Sequence, residues 1–252
     1  TDNKAVKHGL IYKSAGLDDV TASDIDTLIN GLGIVTDVDL KDDGGTVSFL
    51  GEKIKYVYAP VGEYTDIFAN NSSYNNSLKN IFSTFADKSE LPLIYHCDSG
   101  CDKTGTVTAL LLGVLGVDKE TIYKEYLISF YSVAGAFDEE SYKNSLKNLD
   151  ALFSGLDKYG NEETELKAKV EKYLLEIGVL QADIEAIRDN LIEPVSETVD
   201  EEAENSQFPV VTVGIPENKD ASSSITVILV IAGALICMGV TVVLFIKFKK
   251  KK

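Results

Sequence analysis

One ten-residue stretch gathers most of the side chains able to do covalent chemistry: His96-Cys97-Asp98-Ser99-Gly100-Cys101-Asp102-Lys103-Thr104-Gly105. A buried-strand pattern, LPLIYH, leads into it, and a helical pattern, TVTALLLGVLGV, follows it. A cysteine at the end of a strand, before a glycine-containing loop that opens a helix, sits where a thiolate can be made. The first turn of a helix offers unpaired N–H groups and a partial positive charge. Those groups also hold phosphate, so one cradle lowers a cysteine pKa and binds a phosphoryl group. A cation at the helix start, here Lys103, then faces the phosphate oxygens.

Other chemistries fit the stretch poorly. A nucleotide-binding P-loop needs Gly-Lys-Thr, and Asp102 stands where that glycine belongs. A metal site built from His96, Cys97 and Cys101 lacks a further ligand, since His8 is the only other histidine. No metal and no cofactor are expected. A thiol-based reaction on a phosphate is the reading that uses the whole loop.

The elements that must hold this loop are legible around it. Leu10-Ile11-Tyr12, Ile34–Leu40, Ile54–Tyr58 and Leu91–His96 read as strands, and Asp42-Asp43-Gly44-Gly45 as a turn. Thr21 and Asp24 form a capping box ahead of Ile25, Leu28, Ile29 and Leu32 at helical spacing, with Gly31 and Gly33 closing that helix. Residues 74–87 and nearly everything from 106 to 192 read as helix. Strands early and helices late predict an α/β fold: a parallel-rich central sheet flanked by helices, with a helical C-terminal part. The chain has 252 residues and a formal net charge of −16, and lysine supplies every basic residue except Arg188. Such an acidic chain lacks the basic footprint that a nucleic-acid backbone requires, so no nucleic-acid partner is expected.

Charge and hydropathy divide the sequence into four parts. Residues 1–192 carry 18 basic and 32 acidic groups and form the folded domain. Residues 193–224, with one lysine and eight acids, read as an acidic stalk. Ile225 to Ile246 carries no charge, and 22 residues of helix reach about 33 Å, enough to cross a bilayer. That predicts one transmembrane helix and a lipid-bilayer partner through residues 225–246. The lysine-rich tail 247–252 belongs on the cytoplasmic side. The expectation is therefore a single-pass cell-membrane protein whose N-terminal domain is extracytoplasmic and whose signal peptide has been removed.

The loop resembles the Cys-x5-Arg signature of the protein tyrosine phosphatase superfamily. Within it, the chain is similar to the bacterial tyrosine/phosphoinositide phosphatase family, whose loop usually reads HCxAGKDRTG. The opening HGLIYKSAGLDDVTASDIDTLINGLGIVTDVDLK and the closing YLLEIGVLQADIEAIRDNL resemble that family as well. The resemblance implies a protein tyrosine phosphatase-like fold in which Cys97 is the nucleophile and carries a phosphocysteine intermediate. It implies that the N–H groups of Asp98, Ser99, Gly100, Cys101, Asp102 and Lys103 hold the phosphate. Asp102 is then the general acid, and Thr104 bonds the sulfur. His96 orients the loop or is simply a buried structural histidine, and Asp39 is structural.

Two departures from that pattern bear on function. Lys103 stands at the family's loop arginine, and Lys13 and Lys41 stand at two further arginine positions. A lysine is a single point charge, whereas arginine clamps two phosphate oxygens with a planar fork. Cys101 replaces the lysine associated with acidic phosphoinositide headgroups. It is either a small loop residue or a partner for a reversible disulfide with Cys97. The resemblance implies a Cys-dependent phosphatase acting on a phosphorylated protein, through phosphotyrosine, or on another small phosphomonoester. The alternative is a weak or inactive pseudophosphatase that serves as a surface binding module.

Overall fold

A computed structural model of the chain describes residues 4–132, 139–194, 227–230 and 241–246. The strands β1 (Lys4–Val6) and β2 (Ile11–Ser14) come first, followed by α1 (Ala22–Asp26), which continues as a π-helical turn over Thr27–Gly31. Next are β3 (Thr36–Asp39), β4 (Lys55–Tyr58), a 3-10 turn (Tyr64–Phe68), α2 (Ser72–Ala86) and a second 3-10 turn (Lys88–Glu90). Then come β5 (Leu93–His96), α3 (Asp102–Leu115), α4 (Lys119–Ser132), α5 (Glu139–Leu156), a 3-10 turn (Asp157–Tyr159), α6 (Leu166–Glu176) and α7 (Gln181–Leu191). The strands β6 (Ile192–Pro194), β7 (Val227–Val230) and β8 (Thr241–Ile246) complete the order.

The expected parallel sheet is present. Its order is β4-β3-β5-β2-β8-β7, and β4, β3, β5 and β2 are mutually parallel. The strands β2, β3 and β5 are buried at every position, as parallel strands covered on both faces are. The helix α3 is buried from Lys103 to Leu115. It packs with Phe82, Phe85, Leu93, Tyr95, Leu152 and Leu174 in one large apolar cluster. A smaller cluster of Tyr12, Leu17, Leu28, Ile34, Leu50, Ile54 and Ile94 covers the other face. The capping box forms as the sequence predicts, with Thr21 Oγ1 accepting from the Asp24 N–H at 3.2 Å and Asp24 Oδ2 accepting from the Thr21 N–H at 2.8 Å.

Three features were not expected. The helix α3 begins at Asp102, four residues before the apolar pattern, so the signature residues themselves make its first turn. Secondly, β1 pairs antiparallel with β6, which carries ordered structure to Pro194, two residues past the expected end of the domain. Thirdly, the run 225–246 is extended wherever it is described. The strands β7 and β8 pair antiparallel, and β8 lies parallel to β2 with Tyr12 opposite Thr241 and Lys13 opposite Val242.

Among the described residues no helix is long and apolar enough to cross a membrane. The expectation of a transmembrane helix over 225–246 is corrected to that extent. An uncharged run does not by itself choose between helix and strand. Here Val227, Ile228, Val230, Val242, Val243 and Ile246 are β-branched, and β2 offers a strand edge to pair with. The stalk from 195 onward, the centre of the apolar run and the lysine tail lie outside the described residues.

Candidate functional site

The loop is built at the carboxyl end of the sheet, where β5 lies between β2 and β3 with His96 level with both Ser14 and Asp39. Backbone hydrogen bonds tie it to both neighbours. The Leu40 N–H donates to His96 O at 2.9 Å, and the Gly16 N–H donates to Asp98 O at 3.1 Å. Gly100 has φ +73°, and a Cβ there would lie 2.8 Å from Ser14 O. Only glycine allows the loop to turn this close against β2. The Gly105 N–H then donates to Cys101 O at 2.9 Å and starts α3.

Cys97 and Thr104 are in contact. Thr104 Oγ1 donates to Cys97 Sγ at 3.1 Å, and both residues are buried. Of the six expected phosphate-binding positions, Cys101 has its N–H directed to Ser99 Oγ at 3.2 Å. Cys97 and Cys101 are both free thiols. The Cys101 sulfur donates towards Ser99 O and Ser129 O, and burial, followed by the charge of Asp102, pushes its pKa up to about 11. Cys101 is therefore a neutral thiol at ordinary pH, with none of the thiolate character that favours oxidation.

Two groups expected to face substrate are already engaged. Asp102 accepts from the Tyr64 hydroxyl at 2.6 Å on Oδ1 and from Ser99 Oγ at 3.4 Å on Oδ2. Lys103 pairs with Asp42 from the turn after β3. Burial works against the Lys103 charge, but Asp42 outweighs it, and the lysine pKa lies above its ordinary value. Tyr64 in turn bonds the Tyr126 hydroxyl of α4.

The surrounding cations and acids form a second set. Lys13 is buried in an ion pair with Glu125 and donates to Ser129 Oγ at 3.0 Å. Lys41 donates to both oxygens of Asp18, at 2.7 and 2.8 Å. Burial opposes the Lys41 charge, yet Asp18, Asp39 and Asp98 raise its pKa. His96 Nε2 lies 3.0 Å from Asp37 Oδ1, off the line of a hydrogen bond, and both side chains are buried. Asp39 accepts from the Lys41 N–H and from the Tyr56 hydroxyl, each at 2.9 Å, so it braces the turn beside the loop.

Sequence reasoning did not single out Asp42, Tyr64, Glu125 or Tyr126 as parts of this site. Each reaches the loop or its neighbouring residues from an element far away in sequence, and no local spacing marks it. Asp42 came nearest to recognition, as part of an acidic turn following a buried strand.

The chain is similar to known proteins. The sequence profile of the tyrosine phosphatase family matches residues 1–193. A tyrosine-protein phosphatase of Nostoc commune is 26% identical over 153 residues, 52% of this chain and 52% of the relative, so the chain spans about half the length of that protein. The core catalytic domain of the PP-IP phosphatase SIW14 from S. cerevisiae, solved in complex with citrate, is 16% identical. It superposes with a TM-score of 0.39 over 58% of this chain and 93% of its own. A second structure of the Siw14 catalytic core gives a TM-score of 0.38 at 16% identity, over 58% of this chain and 92% of that one.

Proposed function

The chain belongs to the tyrosine phosphatase family, and on that premise we propose that it hydrolyses phosphomonoesters, phosphotyrosine among them, through a phosphocysteine at Cys97. The observation that carries the reading is the 3.1 Å hydrogen bond from Thr104 Oγ1 to Cys97 Sγ at the mouth of α3. A hydroxyl donating to sulfur holds it in place, both as attacking nucleophile and later as leaving group. In this mechanism the sulfur attacks phosphorus while the helix N–H groups and Lys103 hold the three non-bridging oxygens. The departing oxygen takes a proton from an acid at the mouth of the loop. Water then attacks the phosphocysteine, releasing phosphate and regenerating the thiolate.

Lys103 sets the expected rate. It must leave Asp42 to reach a phosphate, and it brings one nitrogen where arginine brings a fork. A slow enzyme is the consequence. Rapid mixing of the full chain with para-nitrophenyl phosphate should give phosphate release and an acid-trapped phosphocysteine at residue 97. Tight oxyanion binding with neither product would favour the second reading, a phosphate-recognising pseudoenzyme, which the engagement of Lys103 by Asp42 supports.

For residues 225–246 the proposal is attachment to a bilayer, with the N-terminal domain facing outside. It is supported by 22 uncharged residues ahead of five lysines. The competing arrangement is the pairing of β8 with β2. Removing residues 225–252 should abolish association with lipid vesicles and leave a cooperative melting transition. Loss of cooperative melting would instead make β8 a structural strand and overturn the attachment.

A further inference from the structure

The Asp102 carboxyl is the acid that the resemblance places in the loop, and its two oxygens are held differently. Oδ1 accepts a 2.6 Å hydrogen bond from the Tyr64 hydroxyl. Oδ2 has the 3.4 Å contact with Ser99 Oγ, long for a hydrogen bond between two oxygens. A neutral carboxyl carries its proton on one oxygen, so whatever holds the other oxygen decides where that proton points.

Tyr64 is tied to Asp102 at both ends. Its backbone N–H donates to Thr106 Oγ1 at 2.8 Å, and Thr106 Oγ1 donates to the Asp102 carbonyl at 2.9 Å. Its φ of +46° is a conformation that a non-glycine residue keeps only when its surroundings over-determine it. Behind it stands Tyr126 of α4, whose ring meets that of Tyr64 edge to face with centroids 6.4 Å apart. The Tyr126 ring also presses against α3 at Gly105, where a Cβ would lie 2.7 Å from it. Both tyrosines are buried, and their hydroxyls bond one another. A phenol has one hydrogen to give. Tyr64 directs its own to Asp102 Oδ1, so Tyr126 is the donor between the two. The donors run one way, from α4 through Tyr64 to the loop, and hydrogen bonds in such a chain strengthen one another. Burial raises the Tyr64 pKa, and Tyr126 and Asp102 raise it further, which keeps that hydrogen in place at ordinary pH.

We infer that Tyr64, backed by Tyr126, is a positioning residue that fixes Asp102 Oδ1 as an acceptor and so makes Oδ2 the oxygen that gives and takes the catalytic proton. The inference rests on the phosphatase reading. Oδ1 accepts from Tyr64 whether or not Oδ2 holds a proton, so the carboxyl keeps one orientation through both halves of the reaction. In the first step the Cys97 thiolate forms the S–P bond, the P–O bond breaks, and the proton on Asp102 Oδ2 passes to the departing alkoxide or phenoxide. In the second step water attacks phosphorus and gives a proton to Oδ2. The S–P bond breaks to return the thiolate, and phosphate leaves. A phenylalanine at position 64 would fill the same space and leave the carboxyl free to turn.

The test uses the full chain and two substrates, phenyl phosphate with a poor leaving group and para-nitrophenyl phosphate with a good one. Tyr64→Phe should lower kcat on phenyl phosphate about tenfold or more and on para-nitrophenyl phosphate by less than about threefold, with KM little changed. Asp102→Asn should lower kcat on phenyl phosphate by about 10²-fold, and adding Tyr64→Phe to it should cost no further activity. Tyr126→Phe keeps the Tyr64 bond to Asp102, so it should show the same dependence on leaving group at smaller size, again absent beside Asp102→Asn. That variant decides the matter where Tyr64→Phe does not fold. Equal losses on the two substrates in either variant, or a further loss on top of Asp102→Asn, make the tyrosines merely structural and overturn the inference. If the unaltered chain turns over neither substrate, the phosphatase reading fails, and side-chain NMR still decides the positioning. The Asp102 χ1 couplings should change in Tyr64→Phe from those of one rotamer to an average, and unchanged couplings overturn the inference.

Discussion

Two lysines flank the loop, both at positions where the resembling family carries arginine, and the structure uses them in opposite ways. Lys13 lies in β2, paired with Glu125 of α4, and neither side chain exceeds 2% exposure. Lys103 lies at the mouth, paired with Asp42, whose side chain is 64% exposed. A cation sealed against a buried carboxylate is scaffold, because separating the two would leave a charge without water or partner. One held by a solvated carboxylate can change partners at little cost. The same residue type is therefore fixed in one pair and exchangeable in the other.

The largest effect should come from the proposed nucleophile. Cys97→Ser should take turnover below detection and still bind vanadate or phosphate, since the helix N–H groups persist. Retained turnover would remove the phosphocysteine from the mechanism. The fixed pair comes next: Glu125→Gln should cost about 3–5 kcal/mol of stability, read from the denaturation midpoint, because it strands the Lys13 charge in the core. The paired change Lys13→Met with Glu125→Leu should recover most of that loss. A fixed pair that tolerates the single change would be as exchangeable as the other, and the contrast would fail.

In the exchangeable pair, Lys103→Arg should raise kcat about 10- to 10³-fold, roughly the worth of a well-placed transition-state donor. Arginine has five N–H donors on a planar fork, so one edge can remain on Asp42 while another meets phosphate. The gain should fall in kcat rather than KM, because the lysine charge already supplies ground-state attraction. No gain, with oxyanion binding intact, would mean that the site lacks more than its arginine.

The contrast also marks what the sequence could show. The Cys97 to Gly105 stretch is contiguous, so the chemistry of a thiol, a helix start and a hydroxyl seven residues on could be read directly. So could the strands and the Thr21–Asp24 capping box, which depend on neighbours in sequence. The partners of the two lysines were not legible. Asp42 lies 61 residues from Lys103, and Glu125 and Ser129 become neighbours of Lys13 only once α4 packs against the end of β2. Tyr64 was hidden for the same reason, since nothing local predicts a tyrosine at positive φ bonding Asp102 from 38 residues away. The run 225–246 failed differently. Hydropathy reports that its residues avoid water, but the choice of helix or strand depends on what they pair with.

The smallest effect should come from Asp42 itself, and it bears most directly on the exchangeable pair. Asp42→Asn removes the carboxylate that competes with phosphate for Lys103 and leaves a neutral side chain of the same shape. Asp42 is solvated although Lys103 is buried, so the contact is worth on the order of 1 kcal/mol, and KM should fall by up to about fivefold. The change in kcat should be small, because Lys103 meets the transition state in both proteins. Lys103 loses the charge that raises its pKa, yet it stays protonated at neutral pH, so the effect should not depend on pH there. Raising the ionic strength should shrink the difference between the two proteins, as screening weakens the Asp42 contact. In the Lys103→Arg background the same change should do less, since the guanidinium need not abandon Asp42 to hold phosphate. A KM that rises in Asp42→Asn would mean that Asp42 holds Lys103 in place for substrate and does not compete with it.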